Sequence, residues 1–179
     1  MNSQLISRVF ALLRTALFAL LFMGAVGVYL PRYFGLLYRT AALDVRLLGV
    51  VPLLLGGYVA LRCAFEFAWR GRGTPAPFDP PRRLVISGLY RYVRNPMYSG
   101  MALFMIGEWL IWGTDVKGAL IYLAVYSVCV LLFVLGYEEP ALGKKFGEDY
   151  ETYRRNVPRF VPLLTPWNAE TKSAASSRS

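Results

Sequence analysis

Between Gly88 and Gly100 the chain reads Gly-Leu-Tyr-Arg-Tyr-Val-Arg-Asn-Pro-Met-Tyr-Ser-Gly, a run that closes a basic loop and opens a long apolar segment. A second polar cluster, Glu138-Glu139, follows the next apolar segment, and Tyr150, Tyr153, Pro158 and Arg159 keep the chain amphipathic beyond it. Two polar clusters bracketing an apolar hairpin point to one shared pocket at a membrane surface. Such a pocket has planar guanidinium forks for anions and carboxylates that accept hydrogen bonds from cations or hydroxyls. The chain has no histidine, and Cys63 and Cys129 lie in separate apolar segments. A typical zinc or haem site is therefore not expected, no metal is assigned, and the two cysteines read as small packing residues.

The ordered set resembles a known family: the integral-membrane S-adenosylmethionine (SAM)-dependent methyltransferases that include isoprenylcysteine carboxyl methyltransferases and bacterial phospholipid methyltransferases. The resemblance runs from Leu84 to Pro162 and is carried by Gly88 and Tyr90, by Arg94, Asn95, Pro96, Tyr98 and Gly100, by Glu138 and Glu139, and by Phe146, Gly147, Tyr150, Tyr153, Pro158 and Arg159. Asn95 stands where that family usually has histidine. The resemblance implies SAM as cofactor, held by Gly88, Tyr90, Arg94, Asn95, Pro96, Tyr98, Gly100, Glu138 and Glu139. It implies a membrane lipid or hydrophobic small molecule as methyl acceptor, contacted by Tyr150, Tyr153, Arg159, Met101 and Met105. Arg159, Asn95 and Glu108 are the catalytic candidates.

Each role has a plainer counterpart. Arg94 reads either as a partner for the SAM carboxylate or an anionic acceptor, or as an arginine snorkelling at a helix entrance. Tyr90 and Tyr98 read as adenosine walls or as interfacial anchors. Gly88 and Gly100 permit close backbone approach to a ligand, or ease turns and helix packing. Glu138 and Glu139 suit the SAM ammonium or ribose hydroxyls, or form an exposed pair at a helix start. Met97, Met101, Met105 and Glu108 fall near one helical stripe. That stripe reads as packing or as a pliable lipid-tail groove, and Glu108 as an intramembrane functional acid or a hydrated residue at the far interface. Arg62 and Glu66, four apart, read as a structural pair.

The elements that must position these residues are membrane helices. Hydrophobic residues make up 56% of the 179 and charged residues 17%, and mean hydropathy is +0.41. Stretches near twenty apolar residues can cross a hydrocarbon core of about 30 Å, and helices satisfy every backbone polar group inside lipid. The spacing predicts an all-α integral membrane protein of about four transmembrane helices: Val9 to Leu30, Leu47 to Trp69, Met97 to Trp112 and Ala119 to Tyr137. Pro52 is placed in the first turns of its segment, where a missing amide is tolerated. Leu142, Phe146, Tyr150 and Tyr153 then fall on one face of a C-terminal interfacial amphipathic helix, which by the resemblance closes the cofactor pocket. A secretory signal in the first segment is disfavoured, because it shows no clear cleavage pattern.

The net charge of +9 belongs with anionic lipid headgroups, since the arginines flank apolar segments and no nucleic-acid-binding module accompanies them. Arg70, Arg72, Arg82, Arg83, Arg91 and Arg94 cluster in the second connection, against Asp115 and Lys117 in the third. By the positive-inside rule that connection and both termini are cytoplasmic, in what reads as a bacterial inner membrane, although Arg32, Arg39 and Arg46 in the first connection oppose this bias. One domain is expected, residues 1–164 with core motifs at 84–162, followed by a polar, disordered tail at 165–179. The resulting expectation is methyl transfer from SAM to a lipid or amphiphile at the cytoplasmic face, by carboxyl O-methylation or phospholipid N-methylation. The alternatives are an NADPH-dependent sterol-reductase-like enzyme and a non-catalytic membrane binding or assembly protein.

Overall fold

The computed structural model describes residues 20–36, 43–66, 83–113 and 116–168, with a few positions between 9 and 17. Its regular elements are helical: α1 (Leu20–Tyr33), α2 (Leu43–Glu66), α3 (Pro96–Trp112), α4 (Val116–Phe146) and α5 (Glu148–Asn156). Wide π-helical turns interrupt α1 at Gly24–Tyr29 and α4 at Val134–Glu138. Among the described residues there is no strand.

Two helices, α2 and α4, are long and apolar enough to cross a membrane. Only 28% of the most apolar window of α2 and 6% of that of α4 is buried, whereas the core helix of a soluble protein would be mostly covered. Leu47, Leu54 and Leu61 of α2 and Leu120, Val128 and Leu132 of α4 stand exposed, the surface that lipid tails would cover. The 17 residues of α3 span about 25 Å at 1.5 Å per residue, short of a hydrocarbon core of about 30 Å. The first span expected from the sequence lies partly outside the described residues, as does the end of the second; residues 67–82, with the Gly/Pro-rich connection, and residues 169–179 of the tail lie wholly outside them.

Pro52 lies inside α2 rather than in its first turns, because the helix begins at Leu43. An apolar helix tolerates this where its neighbours and local adjustment satisfy the freed carbonyl. The amphipathic C-terminal stretch also differs from a single helix. Gly147, at φ 54°, ends α4 and starts α5. The face bearing Tyr150, Tyr153 and Val157 packs on the protein itself, against Leu84, Ile86, Leu142, Phe146 and Trp167. Trp167, assigned above to the tail, is docked through its backbone N–H to the Arg91 carbonyl, 2.9 Å, and through its own carbonyl to Arg91 Nε, 3.0 Å.

The most extensive helix contact is between α2 and α3, which run antiparallel. Gly49 and Gly56 on one helix meet Gly107 and Gly100 on the other, each pair seven residues apart and so on one face after two turns. A Cβ on Gly49 would lie 2.8 Å from the Gly107 carbonyl oxygen, and one on Gly56 2.8 Å from the Phe104 Cα. The backbones therefore touch, the small-residue packing that membrane helices use where burial of apolar surface supplies little attraction. Gly56→Ala and Gly107→Ala should each cost about 1–3 kcal/mol by forcing the helices apart. Gly136→Ala, with nothing within 4 Å of the added methyl, should leave the midpoint of thermal unfolding in detergent near that of the parent protein. Equal midpoints for all three variants would contradict this packing.

Candidate functional site

The site forms where the turn before α3, the end of α4, α5 and the segment after α5 converge. Leu84 and Val85 enter from the preceding loop, and the 3₁₀ turn Gly88–Arg91 carries Tyr90 inward. α3 then opens with Pro96 in its first turn, where a missing amide has no helical partner, and supplies Met97 and Tyr98. The π turn in α4 ends at Glu138, with Glu139 directly after it. Such turns add a residue to the helical repeat and occur at functional sites. One pocket is lined by Leu84, Val85, Tyr90, Arg94, Asn95, Met97, Tyr98, Glu138, Glu139, Leu142, Tyr150 and Tyr153.

Its electrostatic centre is Glu139. Arg94 Nη1 donates to its Oε1 at 2.9 Å, while Arg159 donates from Nε to Oε1 at 2.7 Å and from Nη2 to Oε2 at 3.0 Å. Arg94 also donates to the Val157 carbonyl, 2.9 Å, and to the Tyr150 hydroxyl, 3.2 Å. The side chains of Arg94 and Glu139 are each only 8% exposed, so the pair is largely shielded from water. Glu138 is held differently, accepting one bond from the Tyr98 hydroxyl at 3.0 Å. Among the described residues no cation pairs with it. The Glu138-Glu139 pair is thus divided: one carboxylate is saturated by arginine, and the other keeps acceptor capacity beside the pocket.

Asn95 spends its side-chain N–H on the Arg159 carbonyl, 3.1 Å, to which its backbone N–H also points at 3.2 Å, while the Arg94 N–H reaches the Pro158 carbonyl at 2.9 Å. These bonds clamp the segment carrying Arg159 to the entrance of α3. Tyr153 closes the other side by donating to the Tyr90 carbonyl at 2.6 Å. Burial pushes the hydroxyls of Tyr90, Tyr150 and Tyr153 above the usual phenol range, so near neutral pH all three remain protonated donors. Hydrogen bonding to Glu139 raises Arg159 further within its already basic range.

Of the residues singled out from the sequence, Tyr90, Arg94, Asn95, Tyr98, Glu138, Glu139, Tyr150 and Tyr153 come together around this pocket, with Arg159 joined to it through Glu139. Pro96 is buried at the start of α3. Gly100 faces α2, where an added Cβ would lie 2.6 Å from Val59 Cγ1. Met101 is 2% exposed, in a core cluster with Tyr126, and Met105 lines a different cavity together with Glu108. Gly88 lies at φ 54°, and a Cβ there would sit 2.8 Å from Glu66 Oε1. Its close neighbour is thus a carboxylate of the protein.

Glu66, paired with Arg62 as its spacing predicts, is also a positioning residue, a role its sequence position did not reveal. Only 4% exposed, it accepts from Ser87 Oγ at 2.6 Å and from Arg62 Nη2 at 3.1 Å, tying the end of α2 to the turn that presents Tyr90. The sequence signal was an acid late in an apolar segment, and the Arg62 spacing did not reveal its bond to Ser87. The apolar walls Leu84, Val85, Met97 and Leu142 carried no distinguishing signal. Among the described residues no group of histidine, cysteine or acidic side chains is placed to hold a metal.

A model of the family described as phospholipid methyltransferase matches residues 45–149, more than half of the chain and both polar clusters. The chain belongs to this family. It is 35% identical over 81 residues to the protein-S-isoprenylcysteine O-methyltransferase of Schizosaccharomyces pombe, covering 45% of this chain and 34% of that protein. It is 32% identical over 93 residues to the methanethiol S-methyltransferase of Crocosphaera subtropica, covering 51% and 31%. With the protein-S-isoprenylcysteine O-methyltransferase B of Arabidopsis thaliana it shares 29% identity over 85 residues, covering 46% and 41%. The matched stretch thus spans only about a third of the length of the first two of these relatives. No solved structure matches the chain.

The ion-pair geometry has a stability consequence. Glu139→Gln would leave the buried Arg94 guanidinium without its counter-charge and should cost about 3–5 kcal/mol. Glu151→Gln, which removes an exposed pair with Arg154, should cost less than about 1 kcal/mol. Chemical denaturation in matched detergent compares the two, and similar losses would refute a central role for Glu139.

Proposed function

We propose that this protein transfers a methyl group from SAM to a lipid or other amphiphilic acceptor at the cytoplasmic face of a membrane. The observation that carries this reading is the convergence of Arg94, Glu138, Glu139, Tyr90, Tyr98 and Tyr150 on one partly apolar pocket, within a chain of the phospholipid methyltransferase family. The donor set suits SAM: carboxylate and tyrosine oxygens for an ammonium and ribose hydroxyls, a guanidinium for a carboxylate, and apolar and aromatic walls for a purine. When bound, SAM supplies a methyl group on a positively charged sulfur, so no acid is needed to expel the leaving group.

The protein's part is then positioning and exclusion of water. Glu138 is assigned to the cofactor ammonium or ribose, because Glu139 is already occupied by two guanidiniums. Arg94 is assigned to the cofactor carboxylate or to the wall beside it, while Arg159 and Glu139 hold the segment that covers the pocket. Asn95 serves as a clamp, since its amide is bonded to the Arg159 carbonyl and is not a practical base. This favours an acceptor already ionised near neutral pH, such as a carboxylate, over an ammonium that must first lose a proton. A cleft of about 290 Å³ lined by Tyr98, Ala102, Tyr126, Val130 and Phe160 shares Tyr98 with the cofactor pocket and suits the acceptor's apolar chain.

Purified protein in bilayer discs, given methyl-labelled SAM and a native lipid extract, should yield a labelled, base-labile lipid ester. A base-stable N-methyl product would overturn the carboxylate preference, and binding of NADPH without SAM would overturn the whole assignment. In calorimetry Glu138→Gln should weaken SAM binding by roughly 1–3 kcal/mol through loss of a charge-assisted bond while leaving the melting midpoint in place. Unchanged affinity would remove Glu138 from the cofactor site. Arg94 in the pocket lining and the neighbouring Arg83 and Arg91 in sequence support a cytoplasmic location by the positive-inside rule, and both termini are assigned to that side. Reporters fused to the two ends should therefore give the same sidedness, and opposite locations would exclude this topology.

A further inference from the structure

A second cavity, of about 240 Å³, lies among α1, α3 and α4, toward the end of α3 remote from the cofactor pocket. Glu108 reaches it ten residues after Tyr98, the last α3 residue to line the first pocket, about 15 Å along the helix axis, and so stands apart from that pocket. The walls are otherwise apolar or aromatic: Met105, Ile106, Leu120 and Leu123, with Trp109 and Tyr122. The Tyr122 hydroxyl is already spent on the Val26 carbonyl, 2.6 Å. Trp109 lines the cavity as well; its Nε1, beside Gly113, is buried without a hydrogen-bond partner among the described residues. Glu108 is 4% exposed, and among the described residues no hydrogen bond or ion pair reaches its carboxylate. Arg32, exposed near the end of α1, acts on it through space.

A buried carboxyl without a donor is costly, and an acid within an apolar helix marks a functional site. What complements this cavity is a cation on an apolar body. An ammonium can donate to the carboxylate and lie against aromatic rings, which attract it through their negative faces, while Met105 adapts to the chain behind it. The volume, below the range of about 300 Å³ and upward for drug-sized pockets, suits a head group and a short stretch of chain. We infer that this cavity is a binding site for an alkylammonium amphiphile, its ammonium held by Glu108 and its chain by the apolar walls of α3 and α4. The site does not depend on the methyl-transfer reading.

The probes are dodecylammonium, dodecanol and dodecanoate, titrated into the full chain in phosphatidylcholine discs, with protein-free discs as reference and calorimetry as readout. Dodecylammonium should bind saturably at one per chain, and Glu108→Gln should weaken it at least about tenfold, while dodecanol binds more weakly and is indifferent to the substitution. Ala119→Trp, which fills the cavity from α4, should abolish saturable binding even with Glu108 in place, and both variants are compared only if they melt like the parent. Equal behaviour of the three probes, preference for dodecanol, or unchanged dodecylammonium affinity in both variants would overturn the proposal.

Discussion

The Glu139 carboxylate, bridging Arg94 and Arg159, is the interaction on which the rest of the site depends. Arg94 belongs to the entrance of α3, Glu139 to α4 and Arg159 to the segment after α5, so one acid joins three parts of the chain that are distant in sequence. The pair between Arg94 and Glu139 is almost free of solvent. Desolvation of two charges cancels much of their attraction, while separating them would leave a buried charge unpaired.

That commitment shapes the chemistry available around it. With Glu139 saturated by guanidinium, Glu138 and the protonated tyrosines are what the pocket offers to a ligand that brings its own charges. The same arrangement anchors the backbone: Arg94 donates to Val157, and Asn95 and the Arg94 amide hold Pro158 and Arg159. Asn95 thus contributes a structural clamp.

A second constraint comes from glycine. Contact of Gly49 and Gly56 with Gly107 and Gly100 sets α2 directly on α3. The C-terminal end of α2 then places Glu66 beside Ser87 and Gly88. A backbone contact within the helix pair is in this way transmitted to the turn that presents Tyr90, and so to the pocket wall.

The sequence by itself determined the helical class, since backbone groups in lipid must pair within their own segment. It also determined the family, through the order of its two polar clusters, and the Arg62–Glu66 pair, because four residues bring side chains together on one helix. Spacing along one helix placed Met105 and Glu108 on a common face, which the second cavity retains. Only the tertiary structure decided which of Glu138 and Glu139 is saturated, that Gly88 abuts Glu66, that Gly100 packs on α2, and that Glu108 lines a cavity separate from the Glu139 pocket. Periodicity fixes neighbours within one helix. Contacts between helices depend on where small residues let backbones meet and where Gly147 turns the chain, and these are properties of the packed molecule.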